Sequence, residues 1–98
     1  VAITYEQARE IIRAELEPSW THGAFCLDDR KIVENDELFV FSIGAREWLI
    51  DGDLSYAIVG GVPVVSKADG SVSSRPSVEI AMDDRVVVRP NASPTLRV

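Results

Sequence analysis

His22 and Cys26 stand four apart, and a thiolate–imidazole pair is the chemistry such a neighbourhood would serve. In an extended strand, residues four apart share a face but lie about 13 Å from one another, beyond direct contact. A helix would bring them together, but Gly23 and the β-rich surroundings oppose one. Cys26 is therefore expected to be a small buried hydrophobe, and His22 a loop residue beside Trp20. A zinc site needs about four ligands, usually Cys or His, and the chain has a single residue of each. One cysteine also permits no internal disulfide, which fits a reducing, cytoplasmic compartment.

Carboxylates are the other chemical resource. Asp28, Asp29, Glu34, Asp36, Glu37, Asp51 and Asp53 crowd the first half of the chain. Paired acids transfer glycosyl groups only when held in a cleft at matched separation. Here they fall in expected turns, where acids cap and solvate. Asp51-Gly52-Asp53 is only a fragment of a calcium loop. Gly60-Gly61 leads into Val62-Pro63 rather than a helix start with Lys-Ser/Thr, so a kink or bulge explains it better than a phosphate cradle. No catalytic residue, metal site or cofactor is expected, and the chain reads as a non-enzyme.

The elements that hold these residues follow from patterning. The 98 residues are 46% apolar and 27% charged, which describes one folded domain with a radius of gyration of about 13 Å. Thr4 and Gln7 have capping-box spacing, and Tyr5, Ala8, Ile11, Ile12 and Leu16 make one apolar stripe, so a helix runs to about Glu17 before Pro18. Ala24–Leu27 reads as a short strand, Asp28–Lys31 as a turn or exposed edge, and Ile32-Val33 as its continuation. Glu34–Glu37 reads as a tight connection. Leu38–Ile43, apolar on both faces, is expected to be a central strand.

Beyond it, Gly44–Asp53 lacks alternation and Tyr56–Val59 reads as a strand. Pro63 is placed at a strand start or edge. Val64–Ser66 pairs with Ser71–Ser73 across Lys67–Gly70, an Asp-Gly hairpin. Ser77–Met82 suits a helix behind Pro76 or a strand, and Val86–Val88 an edge strand. Residues 1–89 are expected to be one domain, with 90–98 a mobile tail. With one main helix and many short strands, the fold class is α+β: an N-terminal amphipathic helix on one face of a curved antiparallel sheet of four to five strands.

Charge narrows the partners. Residues 1–53 hold twelve acids against five bases, and 54–98 four against five, for a net −6. Phosphate backbones and anionic lipid would repel such a surface, so neither nucleic acid nor membrane is an expected partner. No apolar run approaches the ~20 residues of a membrane span, and Val1–Gln7 has neither the basic nor the apolar part of a signal peptide. An acidic face would instead attract a basic protein.

One ordered set of residues resembles a known family. Phe39 and Phe41, Trp48, Gly52-Asp53, Tyr56, Val59-Gly60, Pro63, Val65, Lys67 and Asp69-Gly70-Ser71-Val72 follow the opening helix Thr4-Tyr5-Glu6-Gln7-Ala8. Over residues 3–75 this order and spacing is similar to the YrhB, or immunity protein 35, family of small bacterial proteins. The chain departs from the family pattern at Gly61, where Asn is usual, and at Ser66, where an acid is usual. The resemblance implies an immunity protein that binds and neutralises a cognate toxin, and it implies no catalytic residues. Glu37, Trp48, Asp51 and Asp53 are the expected contacts, because turns beside a central strand are both rigid and exposed. The alternative is a self-associating binding or chaperone-like domain, dimerising through strand edges near Val72 or Val86–Val88.

Overall fold

A computed structural model describes residues 2–58 and 60–97. Helix α1 (Tyr5–Leu16) begins at the expected capping box: Gln7 N–H donates to Thr4 Oγ1 at 3.1 Å, and Thr4 N–H to Gln7 Oε1 at 2.9 Å. It ends in a 3₁₀ turn, Glu17–Ser19, as Pro18 removes the next amide donor. Tyr5, Ala8 and Ile12 point inward and are buried. Ile11, expected in the buried stripe, sits 37% exposed at its margin, because the inward line runs through positions 5, 8, 12 and 16.

The sheet has five strands, β1 (Phe25–Glu34), β2 (Leu38–Ala45), β3 (Gly61–Ser66), β4 (Val72–Pro76) and β5 (Val87–Pro90), in the order β4-β3-β2-β1-β5 with every neighbouring pair antiparallel. This is the α+β arrangement expected, with β2 at the centre. Under α1 lie Leu27, Ile32, Phe39, Phe41 and Val65. The Tyr5 ring stacks on Phe41 at 5.3 Å and meets Phe39 edge-on at 5.6 Å. The β3–β4 hairpin has the expected register, Val65 opposite Val72, and Gly70 takes the left-handed conformation (φ 75°) its turn requires. The radius of gyration is 13.1 Å.

Three sequence expectations change. Asp28–Lys31 is neither a turn nor a sheet edge, since β1 lies between β2 and β5. It lies inside one ten-residue strand, where β1 advances five residues, from Asp28 to Val33, while β2 advances two. The bulge restores Ile32 to the core side and leaves Asp29 fully buried on that same side. Tyr56–Val59 is not a strand either: Leu54–Tyr56 is a 3₁₀ turn, because the Asp53 carboxylate accepts from Ser55 N–H at 3.0 Å and caps it. Val59 lies outside the described residues. Pro63, placed by sequence at a start or edge, sits within β3 between β2 and β4.

Residues 90–97 are bonded to the rest of the fold, and Val98 lies outside the described residues. Pro90 pairs with Lys31 in β5, and the segment 91–97 is tied to β1. Asp29 accepts from Thr95 N–H (2.7 Å), Thr95 Oγ1 (2.6 Å) and Leu96 N–H (3.0 Å), with Arg9 at 3.4 Å. Asn91 donates to the Asp29 carbonyl at 2.7 Å, and Arg46 donates to the Arg97 carbonyl at 2.8 Å. Burial pushes the Asp29 carboxyl up, but the bonds from Thr95, then Leu96 and Arg9, carry it below the ordinary aspartate range.

Helix α3 (Ser77–Met82) links the two edge strands. Ile80 and Asp83 line a crevice with Leu38 and Arg75, whose side chains project from the face opposite α1, so the crossover runs over that second face. Asn35 fastens it: its side-chain Oδ1 accepts from Glu37 and Leu38 N–H, both at 2.8 Å, and its Nδ2 donates to Asp83 at 3.1 Å.

Candidate functional site

The second face is less complete than the first, and the reason is one residue. Strands β2 and β3 pair from Leu38/Ser66 to Val40/Val64 and no further. The next position of β3 facing β2 is Pro63, which has no N–H to offer the Phe41 carbonyl. The ladder stops there, and Ile43 and Gly61 do not pair. The strands bound a cleft of about 400 Å³, within the ~300–1,000 Å³ range usual for ligand clefts.

Its walls come from five places. Strand β2 gives Phe41 to Gly44 and β3 gives Gly61, Val62 and Pro63; Ser77 stands where α3 begins. Helix α2 (Arg46–Leu49) gives Trp48 and Leu49, and the segment after the 3₁₀ turn gives Ala57 and Ile58. Leu49 fits against the bare Cα of Gly44, where an added methyl would stand 3.4 Å from it. Ile58 is 54% exposed, an apolar side chain left facing water at the mouth.

The loop that carries Trp48 is rigidly anchored. Gly52 N–H donates to the Trp48 carbonyl and Asp53 N–H to the Glu47 carbonyl, at 3.1 and 2.8 Å. The Glu47 carboxylate accepts from Ala24 N–H at 3.0 Å, which holds its pKa below the ordinary glutamate range. Gly23 sits beneath it at φ 71°, where a side chain would come within 2.8 Å of Glu47 and 2.9 Å of Tyr56. Trp20 packs edge-on to Phe25 at 5.6 Å, and its indole donates to the His22 carbonyl at 2.8 Å.

Sequence reasoning named four contact residues, and three of them converge. Trp48 lines the cleft, and Asp51 and Asp53 stand exposed on the loop that leaves it. Glu37 lies in the turn at the other end of β2, roughly 20–25 Å away for a strand of this length. Ile58, Val62 and Pro63 were missed. The available signal was the proline inside a β-branched run, which marks a ladder that must be interrupted.

Cys26 and His22 do not meet as a reactive pair. Cys26 is 3% exposed in β1, and burial pushes its thiol up. The His22 ring contacts the Tyr56 carbonyl at 3.0 Å, in the loop before β1. Among the described residues, no group of three or more His, Cys, Asp or Glu is arranged to hold a metal ion, and no helix is long and apolar enough to cross a membrane.

Charge is distributed around the cleft as well as along the chain. Seven of the ten basic side chains, Arg9, Arg13, Arg30, Lys67, Arg75, Arg85 and Arg89, lie within ion-pair distance of a carboxylate. Lys67 and Arg89 share Glu34, both at 2.8 Å, and draw its pKa down. Among the described residues, Asp51 and Asp53 beside the cleft, and Asp36 and Glu37 at the far turn, have no basic side chain at that distance. Compared with family models, curated proteins and solved structures, the chain finds no match.

Proposed function

We propose that this chain is a non-enzymatic, immunity-type bacterial protein that binds and neutralises a cognate basic protein toxin in the cytoplasm through its acidic surface. The observation that carries the reading is the charge arrangement. The cations are largely consumed in internal ion pairs, so the exposed carboxylates of Asp36, Glu37, Asp51 and Asp53 present their field outward. A field of one sign steers an oppositely charged protein and disfavours wrong partners. The resemblance over residues 3–75 supplies the kind of partner. The buried Cys26, with its thiol pKa raised rather than lowered, supports a binding role over a nucleophilic one.

Strand β5 favours a second reading, self-association. It is an edge strand, and Val87 and Val88 are 59% and 58% exposed. Asn91 N–H bonds the Arg30 carbonyl directly opposite at 3.1 Å, and the alternation of an antiparallel ladder then turns the Val88 peptide groups away from β1. One experiment separates the two readings: co-purification from the native host, followed by light scattering of the free chain and of the complex. A monomer that retains one basic protein, with association slowed by Asp51→Lys and Asp53→Lys, supports the immunity reading. A stable homodimer that retains none supports self-association, and an association rate indifferent to both substitutions removes the electrostatic reading.

A further inference from the structure

We propose that the cleft between β2 and β3 is where the partner enters, and that it takes an extended segment of that partner. The segment carries one apolar side chain set between Trp48 and Ile58, and a neighbouring lysine or arginine that reaches Asp51. This rests on the protein-binding reading above and adds to it a site and the form of the ligand.

Three independent features select that occupant. The first is the backbone. Pro63 leaves the Phe41 carbonyl without a cross-strand donor, and the ladder does not resume at Ile43. A row of open main-chain groups on a sheet strand is met by another extended chain, which supplies amides at the matching spacing. The second is the lining. Trp48, Leu49, Ile58 and Val62 give an apolar wall at the mouth, the setting in which a buried side chain anchors an interface. The third is charge. Asp51 follows Trp48 by less than one helical turn, is exposed, and has no basic side chain within ion-pair distance among the described residues. A segment with an acidic residue there would be repelled. Loop 50–53 is held to α2 by backbone bonds from Ile50, Gly52 and Asp53, so the site is formed before the ligand arrives.

The probe is a short capped peptide of alternating lysine and valine, titrated into the isotope-labelled full chain at low salt. The control is the same peptide with its central valine replaced by proline, which keeps the charge but cannot complete the ladder. The expected result is that the first peptide shifts and protects the Ile43 amide and shifts the Trp48 indole, while the control binds about tenfold more weakly, the loss worth about 1.4 kcal/mol. Trp48→Ala should weaken the first peptide by about tenfold or more, as loss of an anchor does. Ile58→Asp, at a half-exposed position that leaves the core intact, should weaken it similarly if the alanine variant does not fold. Equal binding of both peptides with no change at Ile43 overturns the cleft while leaving the acidic-surface reading intact. Binding of neither overturns both.

Discussion

The face of the sheet beneath α1 is closed even around the buried carboxylate of Asp29, whereas the opposite face leaves a gap beside its own central strand. Both faces use the same material, β-branched and aromatic side chains from β2 and its neighbours. On the first, Tyr5, Ala8 and Ile12 cover Phe39, Phe41 and Val65, and the C-terminal segment bends back to satisfy Asp29. On the second, one proline interrupts a ladder and a four-residue helix cannot cover what it exposes. Packing is thus continuous on one side and interrupted beside β2 on the other.

The sharpest way to break this comparison is to charge the closed face. Ile12 is fully buried, and aspartate there would be an unpaired carboxylate among aromatic rings. Its cost of several kcal/mol is a large part of the ~5–15 kcal/mol that holds a small domain together. Ile12→Asp should abolish the cooperative thermal transition seen by circular dichroism. A variant melting normally would mean that α1 is not what closes the sheet.

A smaller effect is expected at Asp29. Replacing it with asparagine removes the charge and turns one of the two oxygens that accept from Thr95 and Leu96 into an NH2 donor, at a cost of roughly 1–3 kcal/mol. The pH dependence follows from sign. The native Asp29 pKa lies below its unfolded value, so its stabilisation is complete above the ordinary aspartate range near pH ~4 and is lost as pH falls through the native pKa. Asp29→Asn should therefore show a shallower acid limb in its stability profile. Amide exchange at Thr95 and Leu96 should also accelerate, and unchanged exchange there would show that the carboxylate does not hold the segment.

What could be read ahead of the structure was local. The capping box at Thr4 and Gln7, the Asn35 turn and the Asp69-Gly70 hairpin each depend on residues a few positions apart, and each formed as expected. What escaped was set by distant partners. Asp28–Lys31 looks like a turn because four charged residues in a row usually face water. Here Asp29 is satisfied by residues 66 and 67 positions later. Likewise 90–98, rich in turn formers, reads as a tail, whereas Asn91, Thr95 and Leu96 within it bond to Asp29. At the candidate site, Trp48, Asp51 and Asp53 were legible as an exposed turn. The cleft was not, because it exists only once β3 is known to lie between β2 and β4.

The smallest change tests the cause of that cleft. Pro63→Val supplies an N–H opposite the Phe41 carbonyl, where the β2–β3 ladder now stops. One added cross-strand bond contributes roughly 0.5–1.5 kcal/mol. Losing the rigid ring frees the unfolded chain and gives back about 0.4–1 kcal/mol. The net shift should therefore lie within about 1 kcal/mol of zero, and thermal stability alone decides little. The decisive readout is exchange at the new amide: slow exchange means the strands have zipped together. The lysine–valine peptide should then lose affinity although every side chain lining the cleft, apart from residue 63, is unchanged. Fast exchange with undiminished peptide binding would move the cause to Trp48 and Leu49, which would then be wedging the strands apart rather than lining a gap that the proline opened.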